Sequence, residues 1–352
     1  MVFVGGPRQV GKTTLCQSFL TSKEAYLNWD YAPHKERILK GELPPHELVL
    51  LDEIHKYKKW RNWLKGNYDV LKGQKNFLVT GSARLDLYRH GGDSLQGRYH
   101  YLRLHPLSVA ELGITTQTDF ETLLKLGGFP EPFYKSSEIE AKRWSQEYRT
   151  RFIQDDLRSL EQIIDIDTVE LLIIRLPHLV GSPLSINSLR EDLQKSQQTI
   201  SKWVTVLEKL YGIFRISPYG PPRIKAVKKE QKHYHFDWTL IAEEGIRFEN
   251  MVACHLLKWV HFEQDSKARN LELRYFRDVT KREVDFVILE DSKPILLMEC
   301  KLSDATVSDS LRYLSVRCPG VRAVQLVART DRHFVKNGIE VLPAVKFLKD
   351  LI

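Results

Sequence analysis

The sequence predicts an α/β protein whose first third is a parallel sheet flanked by helices, and three observations predict it. Short apolar runs alternate with helical patterns over residues 1–100, the signature of parallel strands joined by helical crossovers. Gly6-Pro7-Arg8-Gln9-Val10-Gly11-Lys12-Thr13 fits the pattern GxxxxGK[ST], between an expected strand and an expected helix. Leu48-Val49-Leu50-Leu51-Asp52-Glu53 is an apolar run ending in two acids, as a buried strand does when its tip reaches the ligand edge of such a sheet.

In chain order, residues 2–4, 25–29, 48–51, 77–80 and 100–104 are expected strands, with helices between them that include 13–19 and 60–72. Residues 121–126 and 138–160 are expected helices, separated by a turn at Gly127-Gly128-Phe129-Pro130-Glu131-Pro132. Over 165–240 the pattern is helix 167–179, helix 186–193 after a Ser185 cap, and helix 197–210 after a Ser196 cap. Strands at 213–216 and 234–236 follow. Three helices and a two-stranded hairpin form the order of a winged helix. From about 243 onward a helix at 247–262 precedes strands at 273–276, 284–289, 295–301 and 323–328, with a helix at 307–315.

Composition narrows the class. The chain has 352 residues, 42% of them hydrophobic, which suits a soluble protein of two or three domains. Apolar runs fall short of the ~20 residues a spanning helix needs, and the first residues do not resemble a signal peptide. Cys16, Cys254, Cys300 and Cys318 are scattered, which points to reduced thiols, a cytoplasmic location and no zinc site. Lys and Arg number 53 against 45 Asp and Glu, a net charge of +8. That balance attracts polyanions, nucleic acid first among them.

The glycine loop carries phosphate chemistry. Glycines let backbone N–H groups curl around phosphates, Lys12 sets a positive charge against the β and γ phosphates, and the Thr13 hydroxyl ligates Mg²⁺. A helix beginning near Thr13 adds its positive end. Gly6, Pro7, Arg8, Gln9, Val10, Gly11, Lys12, Thr13 and Thr14 are therefore the expected nucleotide-binding residues, with ATP and Mg²⁺ as cofactors. Asp52 is expected to hold the metal with Thr13, and Glu53 to orient the attacking water. Thr80 or Ser82, ending the run Phe77-Leu78-Val79-Thr80-Gly81-Ser82, suits a γ-phosphate sensor, though Ser82 equally suits a helix cap. Arg98 suits either the arginine that neutralises transition-state charge or a surface ion pair.

With these stretches in hand the chain resembles the AAA+-type ATPases of bacteria and archaea that carry a C-terminal nuclease-like domain. The resemblance runs through Gly6 to Thr14, Leu51-Asp52-Glu53-Ile54-His55-Lys56, Thr80-Gly81-Ser82, Leu95-Gln96-Gly97-Arg98 and Leu104-His105-Pro106-Leu107-Ser108. It continues through Gly127-Gly128-Phe129-Pro130-Glu131, Arg247-Phe248-Glu249-Asn250 and Arg282-Glu283-Val284-Asp285-Phe286-Val287. It implies an ATPase core over 1–112, a helical lid over 113–162, a winged helix over 163–242 and a restriction-endonuclease-like domain over 243–352. It also implies that homo-oligomeric rings are possible, with Arg98 then acting across a subunit boundary. The approach to the loop, Val2-Phe3-Val4, is shorter than the family's, which leaves the adenine-side residues unassigned.

The C-terminal region has its own acids. Glu299 and Lys301 share one face of a strand, and a hairpin would bring Asp285 beside Glu299. With Glu249 as a further ligand, this set resembles the PD-(D/E)xK nuclease signature and would hold Mg²⁺ for phosphodiester cleavage. A degenerate fold that only binds DNA or protein is the alternative. For DNA contact the candidates are Gln198 and Lys202 on the third helix and Arg223, Lys225, Lys228 and Lys229 in the wing, with Lys232 and His233 extending the basic strip. The whole reads as an ATP-hydrolysing protein acting on DNA. The alternative is a nucleotide-switched regulatory or scaffold protein with an inert C-terminal domain.

Overall fold

The computed structural model describes all residues except 82–94, 96, 158–164, 221–229 and 304–305. Ser82, Arg223, Lys225, Lys228 and Lys229 therefore lie outside the described residues. Two compact units form, Met1–His105 with Lys209–Tyr211, and Pro106–Glu208 with Gly212–Ile352.

The first unit is a five-stranded sheet of β1 (Val2–Gly5), β2 (Tyr26–Asn28), β3 (Leu48–Asp52), β4 (Asn76–Thr80) and β5 (His100–Arg103), in the order β2-β3-β4-β1-β5. Every neighbouring pair is parallel, as the strand–helix alternation predicts. Alternate residues face opposite ways. Phe3, Val49, Leu51, Phe77 and Val79 pack with Trp60 and Leu64 of the helix Trp60–Leu71. Val4, Leu50 and Leu78 pack with Cys16 of the helix Lys12–Gln17. Burial on both faces is why these strands read as unbroken apolar runs. Parallel pairing also brings the β1 and β3 C-terminal ends, with their loop and acids, to the same edge of the sheet.

The second unit starts with the helices Gln117–Leu126, Pro130–Lys135 and Glu138–Arg151, the last continuing as a π-helical turn over Phe152–Leu157. The expected turn at 127–132 is only half a turn, because Pro130 opens a helix at the position where its missing N–H costs nothing. These helices, expected as the lid of the ATPase core, group instead with the C-terminal residues. Trp238 donates its indole N–H to the Leu123 carbonyl at 3.2 Å, and the Ser145 hydroxyl donates to Asp237 at 2.6 Å. The Val109 N–H donates to His255 Nε2 at 3.1 Å, while Nδ1 of the same ring lies 2.8 Å from the Met251 carbonyl. Accepting at Nε2 fixes the proton on Nδ1, so this buried ring is neutral.

Next come the helices Ile166–Arg175, Ile186–Asp192 and Gln197–Lys209. Ser185 and Ser196 cap the last two, accepting from the Ser188 and Thr199 N–H groups at 3.2 and 3.1 Å. β6 (Ile213–Tyr219) and β7 (Lys232–His235) pair antiparallel as the expected hairpin. The hairpin does not stand alone. β6 runs on to Tyr219, and its end pairs in parallel with β8 (Leu271–Arg277). β9 (Glu283–Glu290), β10 (Lys293–Lys301), β11 (Arg322–Val327), β12 (Phe334–Lys336) and β13 (Ile339–Pro343) complete one sheet of order β12-β13-β11-β10-β9-β8-β6-β7. The regions anticipated as separate winged-helix and nuclease-like domains thus share a sheet. The helix Glu244–Lys267 packs against β7, β8 and β10, and the helix Asp309–Arg317 makes the crossover between the parallel strands β10 and β11. Among the described residues, no helix is long and apolar enough to cross a membrane.

Candidate nucleotide site and carboxylate cluster

The loop between β1 and the helix Lys12–Gln17 turns through three positive φ angles, 141° at Gly6, 57° at Gln9 and 96° at Gly11. A Cβ at Gly6 would fall 2.1 Å from the Leu104 carbonyl oxygen, so only glycine fits there. Lys12 is nearly buried, and its ammonium donates to the Gly6 and Pro7 carbonyls at 3.0 and 2.5 Å. Val10 is buried, Arg8 half-buried, and Gln9 and Thr14 are exposed.

At the end of β3, Asp52 is 5% exposed. Its carboxylate accepts three hydroxyls, from Thr13 at 3.0 Å, Tyr26 at 2.9 Å and Thr80 at 2.5 Å. The first of these ties the acid strand to the glycine loop. Tyr26 had no signal in the sequence beyond a polar-tipped aromatic in a short strand. Its contact with Asp52 follows from β2 lying beside β3, a non-local fact. Burial, then the Asp52 charge, pushes the Tyr26 phenol up to about 12, and the same two causes push the Cys16 thiol to about 12. Glu53 has φ 56° and anchors its N–H on the Thr80 carbonyl at 3.1 Å. A non-glycine residue in this region is strained, a state that surroundings must hold in place. Its carboxylate faces Lys56 at 3.3 Å and the buried His55 at 3.6 Å. Arg98 is held by Asp69 of the helix Trp60–Leu71, through Nε at 2.8 Å and Nη2 at 3.3 Å.

The donors at this edge fit a magnesium ion, since Thr13 and Asp52 already meet and both are hard oxygen ligands.

The second cluster lies in the C-terminal sheet. Asp285 on β9 accepts the Cys300 N–H of β10 at 2.8 Å, and Lys301 lies 3.0 Å from Glu299. Glu249, on the helix Glu244–Lys267, accepts the Tyr234 hydroxyl at 2.8 Å. The residue that sequence reasoning misplaced is Lys232. It is fully buried, with its ammonium 3.1 Å from Glu249, 2.6 Å from Glu283 and 3.8 Å from Asp285. Burial works against its charge, and Glu249, Asp285 and Glu283 outweigh that and hold its pKa above the ordinary lysine value. Burial raises Asp285, with the Glu249 and Glu299 charges adding to it, and burial also raises Glu299. The motif Arg247-Phe248-Glu249-Asn250 gains a structural account here. Arg247 caps the Ile241 and Ala242 carbonyls, and Asn250 clamps the backbone N–H and C=O of His235 at 2.8 and 2.7 Å. Among the described residues, no group of three or more His, Cys, Asp or Glu is arranged to hold a metal ion.

Of the DNA candidates, Gln198 and Lys202 are exposed on the helix Gln197–Lys209. Lys232 and His233, expected in the basic strip, are both fully buried and leave it. As consecutive strand residues they point to opposite faces, and both are buried because β7 is covered on both sides.

Comparison with known proteins adds three matches in chain order. Residues 1–113 match a family model described as an AAA domain. Residues 117–244 and 244–347 match two models described as domains of unknown function (DUF8612 and DUF4143). Uncharacterized proteins of Mycobacterium bovis and Mycobacterium tuberculosis are each 23% identical over 360 residues, covering 99% of this chain and 81% of theirs. An uncharacterized protein of Methanocaldococcus jannaschii is 27% identical over 221 residues, covering 53% of this chain and 45% of its own. The glycine loop and its acids thus sit inside a region similar to AAA-type, ATPase-like domains, followed by two regions similar to domains whose task their descriptions leave open.

Proposed function

We propose that this protein binds and hydrolyses ATP at the loop of residues 6–14, with Asp52 and Glu53 as the working acids. The observation that carries the reading is the Thr13 hydroxyl on the Asp52 carboxylate at 3.0 Å, which joins the phosphate loop to the acid strand. Lys12, lying along the loop on the Gly6 and Pro7 carbonyls, exchanges those neutral acceptors for the charged β and γ phosphate oxygens, a stronger charge-assisted contact. Thr13 and Asp52 would hold Mg²⁺, which neutralises phosphate charge when bound. Glu53 orients a water and takes its proton as the water oxygen bonds to the γ phosphorus. The bond from that phosphorus to the bridging oxygen breaks, and ADP leaves with the electron pair. Phosphate release measured with Mg²⁺ tests this. Hydrolysis by the wild type that is lost in Lys12→Ala is expected, and equal turnover in both would overturn the reading.

The nucleotide state is read out on DNA through the helix Gln197–Lys209. Support comes from exposed Gln198 and Lys202, the net charge of +8, and Arg223, Lys225, Lys228 and Lys229 next in sequence. Gel-shift titration in ATP and ADP tests it, and identical affinity with either nucleotide would remove the coupling. A second reading, a switch whose C-terminal region is a platform rather than a nuclease, is favoured by Lys232 among the acids. Arg98 acting on a neighbouring copy would first have to leave Asp69.

A further inference from the structure

We propose that the Lys232 ammonium is the resident cation of the Glu249, Glu283, Asp285 and Glu299 cluster, and that this cluster takes up no divalent metal. The inference is independent of the ATPase reading. It starts from placement. Lys232 Nζ lies within 3.8 Å of three carboxylates contributed by one helix and one strand, the position a bridging cation would take. The lysine is not a surface side chain that happened to fold inward. Its backbone is fixed by pairing with Ile216 on one side and a bridge to Pro183 on the other. Its ammonium also sits 5.6 Å from the Tyr275 ring centre.

The remaining carboxylate oxygens are largely spent. Glu283 uses one oxygen on Lys232 and the other on Arg277 at 3.1 Å. Asp285 gives one oxygen to the Cys300 N–H and turns the other toward Lys232. Glu249 gives one oxygen to both Lys232 and Tyr234. Glu299 gives one oxygen to Lys301, and its second, buried oxygen has no hydrogen-bond partner. Two oxygens stay open, the second of Glu249 and the second of Glu299, and a magnesium ion reaching them would have to share the buried space with an ammonium of like charge. Charge agrees. Four carboxylates face three cations, Lys232, Lys301 and Arg277, leaving one surplus negative charge. A single retained proton cancels it, and burial raises Asp285 and Glu299 in the direction that retains one. The cluster therefore works as a charged staple of β7, β9 and the helix Glu244–Lys267, not as a cleavage centre.

The test uses the full chain without nucleotide, in an Asp52→Asn background that removes the other metal position. Bound Mn²⁺ is counted by electron paramagnetic resonance, and the thermal midpoint is read with and without millimolar Mn²⁺. The parent is expected to bind none and to show no shift. Lys232→Ala is expected to melt lower, to bind one Mn²⁺ per chain, and to recover about 3 °C or more with it. Adding Asp285→Asn is expected to abolish that site. One Mn²⁺ bound by the parent and lost on Asp285→Asn would overturn the proposal, as would a folded Lys232→Ala that binds none. If Lys232→Ala does not fold, the parent and its Asp285→Asn variant decide alone.

Discussion

Asp52 at the end of β3 and Asp285 near the start of β9 are both acids on sheet strands, yet they are surrounded by opposite chemistry. Asp52 is satisfied by the three neutral hydroxyls of Thr13, Tyr26 and Thr80. Hydroxyls rotate, and oxygen that donates to a carboxylate can turn its lone pairs to a cation instead. Asp285 faces an ammonium anchored in the strand β7. That charge cannot step aside without leaving a lysine and several acids buried and unpaired. The difference teaches that two acid motifs of similar appearance in sequence divide into an open arrangement lined by neutral hydroxyls and a closed one held by a buried ammonium.

The largest expected effect separates the two acids of the open site. Glu53→Gln should retain ATP binding while hydrolysis falls about a thousandfold, since a general base contributes on that scale. Single-turnover phosphate release checks it, and a fall of only a few-fold would move the base elsewhere. Lys12→Ala should weaken ATP by about a hundredfold, the scale of a few charged hydrogen bonds, read by titration calorimetry. On the closed side, Lys232→Ala should cost about 3 kcal/mol of stability in chemical denaturation. Leu51→Ala in the apolar core should cost a similar amount through a cavity alone, and unlike Lys232→Ala it should not respond to Mn²⁺ in the Asp52→Asn background.

The pH dependence sharpens the contrast further, because the second unit buries neutral rings. Burial lowers His255 and His233 to about 4 and His235 to about 3. The unfolded chain therefore takes up protons first, near the ordinary histidine value of about 6.5. Stability is present above that pH and is lost as pH falls toward 4. Asp285 and Glu299, raised in the fold, act with the opposite sign and lose stability as pH rises through their folded values. The thermal midpoint should fall between about pH 6.5 and 4, and His255→Leu should fall less steeply because the Val109 N–H no longer depends on a titrating ring. The smallest effect is on the exposed helix. Lys202→Ala should weaken DNA binding about two- to threefold and flatten the salt dependence by about one phosphate contact.

The glycine loop was legible because its pattern is local. Gly6, Gly11, Lys12 and Thr13 must lie within one turn of chain, so spacing alone reveals them. The five strands of the first sheet were legible for the same reason, since burial on both faces leaves apolar runs such as Leu48–Asp52. Tyr26 and Lys232 were not, because Tyr26 meets Asp52 from a neighbouring strand 26 residues away, and Lys232 meets the β9 acids more than 50 residues away from a strand that is not their neighbour. The strands β12 and β13 escaped because Phe334–Lys336 is three residues long and Ile339–Pro343 carries Glu340 at its second position and ends in a proline. The helices Gln117–Leu126 and Glu138–Arg151 were legible, while Pro130–Lys135 was read as a turn, and which unit an amphipathic helix packs against is decided by its partner's surface and has no local signal.

The most direct test of the account is the magnesium dependence of ATP binding in wild type and Asp52→Asn, measured by equilibrium titration. The account predicts that Mg²⁺ tightens ATP binding in the wild type and has no effect in Asp52→Asn, while both bind ATP through Lys12. An equal magnesium effect in the two proteins, or no ATP bound by the wild type, would contradict it.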